Sequence, residues 1–383
     1  MFELEIQKYL RSGKSLDDLK LDYSINASLS SDKKLVILNY DLIDSPKETE
    51  ITKECRQLVL EVNSWNLIAK SFTRFLNMGE NKNEDCLFFE SKNPVTFHSK
   101  EDGSIINVFN YNGEWHLATR STFGNRPLER NNNDLTWRQF FESIVGSPLN
   151  EFGLKLDKNR SYIFEMCSKK NIIVRYYKTP IVYLLASYSK EDGTEYSDEE
   201  LNLVANQISV NRPEKHEIAP NKLDIINYVE AIGDKDQTFE GLVGKVEISK
   251  GVYHRLKFKS SKYLILHHSV SQKNMQNVEN HLELVLKGEM SEISSHPFFS
   301  NFIEEFKATE KKIQFEYEKY ISRWEQVKTI TSQKEFAMQI QSDIWKFMYF
   351  LIKKTNKDPK IIWRQQSDKI KEILLQMWTN KTT

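Results

Sequence analysis

Cysteine is scarce: three residues, Cys55, Cys86 and Cys167, in a chain of 383. Their number is odd and none stands in paired C-x-x-C spacing, which argues against a zinc or redox pair and for a reducing cytoplasm, the host's if the chain is viral. Neither sign of charge is in excess, with 54 Lys plus Arg against 54 Asp plus Glu. That balance removes a global electrostatic ground for binding nucleic acid or a membrane surface, so any basic binding surface has to be local. No apolar run approaches the ~18 residues of a membrane span, and Met1-Phe2-Glu3-Leu4-Glu5 is not a signal peptide. A soluble intracellular protein without a membrane partner is expected, and no partner protein is called for. Fixed-period repeats and low-complexity tracts are also missing.

What is present falls into two textures. From about Leu35 to His268, short β-rich runs recur, among them Leu35-Val36-Ile37-Leu38, Ile172-Ile173-Val174 and Ile181-Val182-Tyr183-Leu184-Leu185, with helical stretches between them. Beyond His268 the apolar spacing becomes helical: Phe299, Phe302, Ile303 and Phe306, then Tyr317, Tyr320, Ile321 and Trp324. Ser332 with Glu335 makes a capping-box pattern, and Asp358 before Pro359 makes an N-cap with proline at the first helical position. The expected fold is α+β, an antiparallel-sheet domain over residues 1–270 followed by an all-α domain over 271–383. The aromatics of the second part, including Phe302, Phe306, Trp324, Trp345 and Phe347, fall at core spacing and are assigned to packing.

The string Lys100-Glu101-Asp102-Gly103-Ser104 presents an amine beside a tight turn. The pattern occurs twice, because Lys190-Glu191-Asp192-Gly193-Thr194 repeats it. The second copy follows a strand ending near Tyr188 and leads into Ser197-Asp198-Glu199-Glu200, a capping box, so it reads as a surface turn. The first copy precedes Ile105 to Phe109, Asn112-Gly113 and Trp115 to Thr119, the pattern of a hairpin closed by a type I′ turn. If Tyr111 pairs with Glu114, Ile105 falls opposite Arg120, bringing a guanidinium close to the Lys100 loop. A cation there would help to depress the lysine from its reference of ~10.4, and nucleophilic attack needs the neutral amine.

A second hairpin is bracketed by Phe239-Glu240-Gly241-Leu242-Val243 and Leu256-Lys257-Phe258-Lys259. With Lys250-Gly251 as its loop, Leu242 faces Lys259 and Gly244 faces Lys257, and Glu240, Lys257 and Lys259 share one face. A one-residue bulge at Gly251 would invert that parity.

These pieces, in this order, resemble the phage RNA ligase 1 family, the tRNA-repair ligases within the covalent lysine nucleotidyltransferase superfamily. The resemblance spans about residues 35–270 and rests on Glu54-Cys55-Arg56, Arg74-Phe75-Leu76-Asn77, Lys100-Glu101-Asp102-Gly103-Ser104, Phe164-Glu165, Glu240-Gly241 and Lys257-Phe258-Lys259. It implies a nucleotidyltransferase fold that grasps ATP, with Lys100 taking AMP and Glu165 at the ribose or metal. It also implies that Glu240 positions a divalent metal, Mg²⁺ or Mn²⁺, that Lys257 and Lys259 act on the α-phosphate and the departing pyrophosphate, and that Arg56 acts on nucleotide and RNA phosphates. The chain departs from the family at Arg74 and Arg120, where the phage enzyme has lysine; both keep a cation on the nucleotide-binding side but present a planar fork that cannot exchange a proton.

The chemistry so implied is consistent with the residue types. Attack on a triphosphate gathers negative charge on oxygen, which cations fixed in advance stabilise. Magnesium binds through one or two carboxylates plus substrate phosphates, which suits Glu240 and Glu165, whereas His267-His268 reads as filler. Lysyl-AMP formation, AMP transfer to an RNA 5′-phosphate and attack by a 3′-hydroxyl would follow in order. DNA ligases and mRNA capping enzymes share the lysine chemistry, but an OB-fold barrel typically follows their last lysine motif, and here helices follow. A catalytically inactive, ATP-sensing RNA-binding protein is the other alternative. The resemblance further suggests that the helical domain selects structured RNA, such as a cleaved tRNA, with the basic loop Lys353-Lys354-Thr355-Asn356-Lys357-Asp358-Pro359-Lys360 attracting phosphates.

Overall fold

The computed structural model describes residues 2–129, 132–171, 173–267, 278–288 and 303–379, with positions 290, 294, 296 and 300. The chain divides into two compact units, Met1–His267 and His268–Thr383. The first is α+β, and every regular element described in the second is helical. Residue 270, where the sequence texture changes, and Ile172, Phe299, Phe302 and His268 lie outside the described residues. Among the described residues no helix is long and apolar enough to cross a membrane.

Three larger sheets, antiparallel but for one short edge pairing, organise the first unit beside the two-stranded pair Pro127–Glu129 and Asn132–Thr136. The strands Ile25–Leu29, Leu35–Tyr40, Arg56–Glu61 and Leu67–Ala69 pair in chain order. Both faces of this sheet are covered, which explains the unbroken apolar run Leu35 to Leu38. Val36 and Leu38 pack with Ile6, Leu10 and Leu19 of the N-terminal helices, and Leu35 and Ile37 pack on the other side with Phe109 and Ala118. The second sheet has the order Ile181–Ser189, Arg160–Cys167, Ser104–Tyr111, Glu114–Ala118. Its Asn112-Gly113 turn has both residues at positive φ, 51° and 87°, as type I′ requires. Phe141, Phe152, Phe164 and Trp115 form its core with the helices Trp137–Val145 and Leu149–Gly153.

The third sheet has the order Lys215–His216, Val95–Ser99, Gly241–Ser249, Val252–Lys259, Leu76–Asn77, the last pairing in parallel. Phe88, Phe97, Ile225, Val229, Leu242 and Phe258 fill the space between this sheet and the helices Lys82–Phe89 and Lys222–Lys235. Residues 100–103 therefore carry the chain directly from the third sheet into the second.

Three sequence expectations fail here. Ile173 and Val174 are not strand: the Val174 and Arg175 amides donate to the Asp102 carboxylate at 2.8 and 2.7 Å instead of to a ladder. The first hairpin pairs Tyr111 with Glu114 as expected, but its ladder ends at Asn107 and Ala118. Gln57 is wedged at that point, its Nε2 donating to Ala118 O at 2.8 Å and Ile105 O at 3.3 Å, so Arg120 never comes opposite Ile105. The second hairpin starts in the expected register, Ser249 with Val252, then shifts by one residue, so that Gly241 pairs Lys259 and Val243 pairs Lys257. The extra residue, Ile248, lies before the turn; the Glu247 carboxylate accepts from the Gly251 amide at 2.7 Å and closes that wider loop.

In the second unit the aromatics are core. Tyr320, Trp324, Phe336, Trp345, Tyr349 and Trp363 are buried together, with Phe347 partly buried against them, and the 25-residue helix Ile303–Val327 supplies the spine. Phe306 is fully buried. Ser332 accepts from the Glu335 amide, one half of the expected capping box, and Asp358 caps the helix that has Pro359 in its first turn. The basic stretch is not one loop: Lys353 and Lys354 belong to the helix Lys346–Thr355, and Lys353 Nζ donates to the Lys328 and Ile330 carbonyls.

Candidate functional site

Lys100 stands where the chain crosses between sheets, and both sheets hold its loop. Its amide donates to Gly241 O at 2.8 Å, in the third sheet. On the other side Gly103 packs so closely on the second that a Cβ there would lie 2.5 Å from Met166 O and 2.7 Å from Cys167 Sγ, which only glycine avoids. Asp102 is buried; besides the two amides, its carboxylate accepts from Tyr263 Oη at 3.0 Å. The Asp102 amide donates to Tyr177 Oη at 3.1 Å, and that hydroxyl donates to Glu101 at 2.9 Å. Burial raises the Glu101 carboxyl, and the Tyr177 bond opposes it.

The Lys100 amine is 2.7 Å from Glu240 Oε1, and Lys259 Nζ is 3.2 Å from the same oxygen. Alternation alone would put Glu240 and the two lysines on opposite faces in the observed register. Gly241 resolves this: at φ 140° it turns the chain at the strand's start, and a Cβ there would lie 2.0 Å from Phe258 O. Glu240 so returns to the side of Lys257 and Lys259, and the expected convergence is reached by a different route.

A cavity of about 90 Å³ opens beside Lys100, lined in part by Arg56, Phe72, Phe75, Ile105, Glu165 and Lys257. Arg56 lies over the Phe75 ring at 5.1 Å and Lys257 over the same ring at 5.0 Å. Burial, with Arg56 and Lys259 adding to it, brings the Lys257 ammonium down to about 7. Glu165, in the middle of the second sheet, is pushed up to about 8 by burial, against the pull of Lys100 and with Glu240 adding to the rise. Arg56 is itself lowered by burial and by the nearby Arg120.

The structure thus gathers Arg56, Lys100, Glu165, Glu240, Lys257 and Lys259. Arg74 and Arg120 do not line this cavity: their guanidiniums lie over the Tyr40 ring at 5.8 and 5.6 Å. Sequence reasoning missed Asp198, Arg212, Lys245 and Arg255, which also line the cavity: Lys245 is 3.3 Å from Glu195 and 3.2 Å from Asp198, Arg212 is 3.0 Å from Asp198, and Arg255 pairs with Glu195. Arg255 was detectable, since it continues the two-residue period of Lys257 and Lys259. The partners Glu195 and Asp198 come from a distant turn and helix and carry no signal. The second Lys-Glu-Asp-Gly copy is a turn, with Lys190 Nζ bonded to Asn110 O at 2.7 Å and Lys158 O at 2.8 Å. Ser197 caps the helix Asp198–Ile208 after it. His267 ends a helix and stacks on Tyr263.

A family model described as RNA ligase, of the phage RNA ligase 1 type, matches residues 54–263, more than half of the chain, and the chain belongs to that family. Among individual relatives, a putative bifunctional polynucleotide kinase/RNA ligase of Autographa californica nuclear polyhedrosis virus is 29% identical over 209 residues, covering 50% of this chain. The match spans 29% of that relative's length. Two forms of an archaeal ATP-dependent RNA ligase are similar in structure at a TM-score of 0.48, with 14% and 13% identity, over 80% and 91% of this chain and 74% and 80% of theirs. A Naegleria gruberi RNA ligase mutant with ATP and Mn follows at a TM-score of 0.36 and 15% identity, over 48% of this chain and 53% of its own.

Proposed function

We propose that the protein is an ATP-dependent RNA ligase that joins RNA 5′-phosphate and 3′-hydroxyl ends through AMP carried on Lys100. Within a chain of the RNA ligase family, the observation that carries this reading is the convergence of Arg56, Lys257 and Lys259 with Glu240 around the Lys100 amine.

The Lys100 nitrogen attacks the α-phosphorus of ATP; the N–P bond forms, the bond to pyrophosphate breaks, and of the two protons that the ammonium loses on becoming a phosphoramidate N–H, one passes to the Glu240 carboxylate 2.7 Å away and the other to solvent. The charge that collects on the α-phosphate and the leaving group is met by Lys257, Lys259 and Arg56, held in place beforehand. The approach of that charge draws the Lys257 ammonium back up from about 7. An oxygen of the RNA 5′-phosphate then takes AMP, breaking the N–P bond and returning a proton to Lys100. Finally the 3′-hydroxyl attacks the 5′-phosphorus and expels AMP.

Glu165 and Glu240 fit a divalent cation. Glu240 adds to the rise of the Glu165 carboxyl, a repulsion that a metal relieves. Magnesium and manganese are held by one or two carboxylates together with substrate phosphates, so these two side chains would suffice. Such an ion, when bound, supplies charge neutralisation to the triphosphate. A cleaved tRNA as the natural RNA, with the helical unit as its selector, is the finer form of this reading; it rests on the family resemblance and on the basic residues around Lys354, Lys357 and Lys360.

The test is incubation with α-labelled ATP and Mg²⁺. The protein should take up label through a bond stable to base and labile to acid, as a phosphoramidate is. Lys100→Ala should abolish the label and Lys190→Ala should retain it. A wild-type protein that takes no label is not a ligase of this kind, and an RNA- or nucleotide-binding role would replace the proposal.

A further inference from the structure

Between the strands Arg160–Cys167 and Ile181–Ser189 of the second sheet runs the segment 168–180, which the reaction above leaves unused. It is pinned to the Lys100 loop at three points. Asn171 Nδ2 donates to Ser104 Oγ at 3.0 Å, the Val174 and Arg175 amides donate to Asp102, and the Tyr177 hydroxyl joins the Asp102 amide to the Glu101 carboxylate. Glu101 lines the Lys100 cavity, so the outer face of the segment lies beside that cavity.

With Tyr177 turned inward as an anchor, its neighbours point out. Tyr176 is 63% exposed whereas Tyr177 is buried, and among the described residues no other tyrosine is exposed. Lys169, Lys170, Ile173 and Lys178 are exposed around it. The segment holds four cations, Lys169, Lys170, Arg175 and Lys178, and no Asp or Glu, in a chain where the two signs are equal in number. Arg175 is engaged: it is 3.9 Å from Asp236, lies over the Tyr177 ring at 5.5 Å and acts on Glu101. The available charge therefore rests on the three lysines. Lys170 lies over the Phe140 ring at 5.6 Å, and Lys169 and Lys178 make no ion pair among the described residues. An exposed ring set among ammoniums matches a nucleic-acid strand, in which a base stacks on the ring and the phosphates to either side meet the cations. An acidic peptide would satisfy the charge and leave the ring without a flat partner.

We propose that the face formed by Lys169, Lys170, Tyr176 and Lys178 is the platform on which a single-stranded RNA end lies as it enters the Lys100 cavity, with a base stacked on Tyr176 and backbone phosphates paired to the lysines. The proposal rests on the ligase reading above, and it gives these residues no part in forming lysyl-AMP. Because the segment is tied to residues 101, 102 and 104, a strand seated there is held in fixed relation to the adenylate on Lys100.

Two measurements test it. Tyr176→Ala should form lysyl-AMP at the wild-type rate, which also reports that it is folded, and should bind a short fluorescent single-stranded oligoribonucleotide about tenfold more weakly, the scale of one lost stack; Tyr176→Trp should restore the affinity. Lys169→Gln, Lys170→Gln and Lys178→Gln together should lower the salt slope of that binding by about 0.7 for each phosphate released. AMP transfer to a 5′-phosphorylated strand, and sealing of an already adenylated strand to a 3′-hydroxyl strand, show by which KM rises which of the two ends occupies the platform. The second measurement needs no substitution: an oligoribonucleotide carrying 5-iodouridine should photocrosslink to Tyr176 of the wild-type protein. Unaltered affinity in Tyr176→Ala, or crosslinks that all fall elsewhere in the chain, overturns the assignment. So does equal displacement of the RNA by an oligoglutamate of the same charge, which would mark the face as a seat for an acidic peptide. A wild-type protein that crosslinks at Tyr176 and forms no lysyl-AMP would instead remove the ligase reading and keep the platform.

Discussion

Glu240 holds the Lys100 amine at 2.7 Å, and the same oxygen holds Lys259 at 3.2 Å. The resting site thus keeps the proposed nucleophile in an ion pair, and attack would require that pair to open or to pass on a proton. Glu240→Gln keeps the shape and removes the charge that organises both amines. We expect single-turnover lysyl-AMP formation at saturating ATP to fall by a factor of ~10² or more, the scale for loss of a preorganised charge partner. Folding, followed by circular dichroism, should persist; an unaltered rate would remove Glu240 from the site.

Lys257 offers a pH test. With its ammonium brought down to about 7, the free protein carries charge there below that pH and loses it above. ATP prefers the charged form, so its dissociation constant should weaken as pH rises through 7, by up to about tenfold per unit. Lys257→Arg stays charged throughout and should remove this dependence between pH 6.5 and 8.5. Calorimetric titration of ATP at four pH values decides it, and a parallel slope in both proteins would place the titrating group elsewhere.

Glu165 makes a stability prediction of defined sign. Its carboxyl is raised from 4.5 to about 8, so between those values the folded chain keeps a proton that the unfolded chain releases. Wild-type stability therefore falls as pH rises across that window. Glu165→Gln carries no such burden: its melting temperature should match the wild type near pH 4.5 and exceed it by several degrees at pH 8.5, as ~1 kcal/mol or more implies for a unit of this size. A constant offset would show that the carboxyl is ionised over the whole range.

The parts of the site differ in how legible they were. The Lys100 loop, the Asn112-Gly113 turn and the Tyr111 to Glu114 register could be read because they depend on local turn chemistry and period-two alternation. What escaped was non-local. Gln57 ends a ladder 61 residues away at Ala118, and Asp102 draws the amides of Val174 and Arg175 out of a strand that composition favoured. The bulge at Ile248 reversed the parity of the second hairpin, and Gly241 reversed it again for Glu240, so two local irregularities yielded the expected cluster. The helical unit was read well because core aromatics at helical spacing need no distant partner to be recognised.

For the helical unit the prediction concerns charge alone. Lys353 ties two helix ends together and is left intact. If Lys354, Lys357 and Lys360 pair with RNA phosphates, replacing all three by Gln should weaken tRNA binding and lower the salt slope by about 0.7 to 0.9 for each phosphate pairing removed. Lysyl-AMP formation should be unaffected. A slope equal to that of the wild type would leave these lysines as ordinary solvated residues.

The crossing at residues 100–103 acts as a gauge between two sheets. The Lys100 amide is fixed to Gly241, while Gly103 rests on Met166 and Cys167. Four residues leave little slack, so a change in the spacing of the sheets is delivered to the amine as a displacement, whereas a change within either sheet that preserves their spacing is not. Substitutions far from the cavity will thus sort by geometry and not by distance: an enlarged side chain that wedges the layers apart moves the Lys100 amine, and an equally buried one that repacks a single layer leaves it where it was.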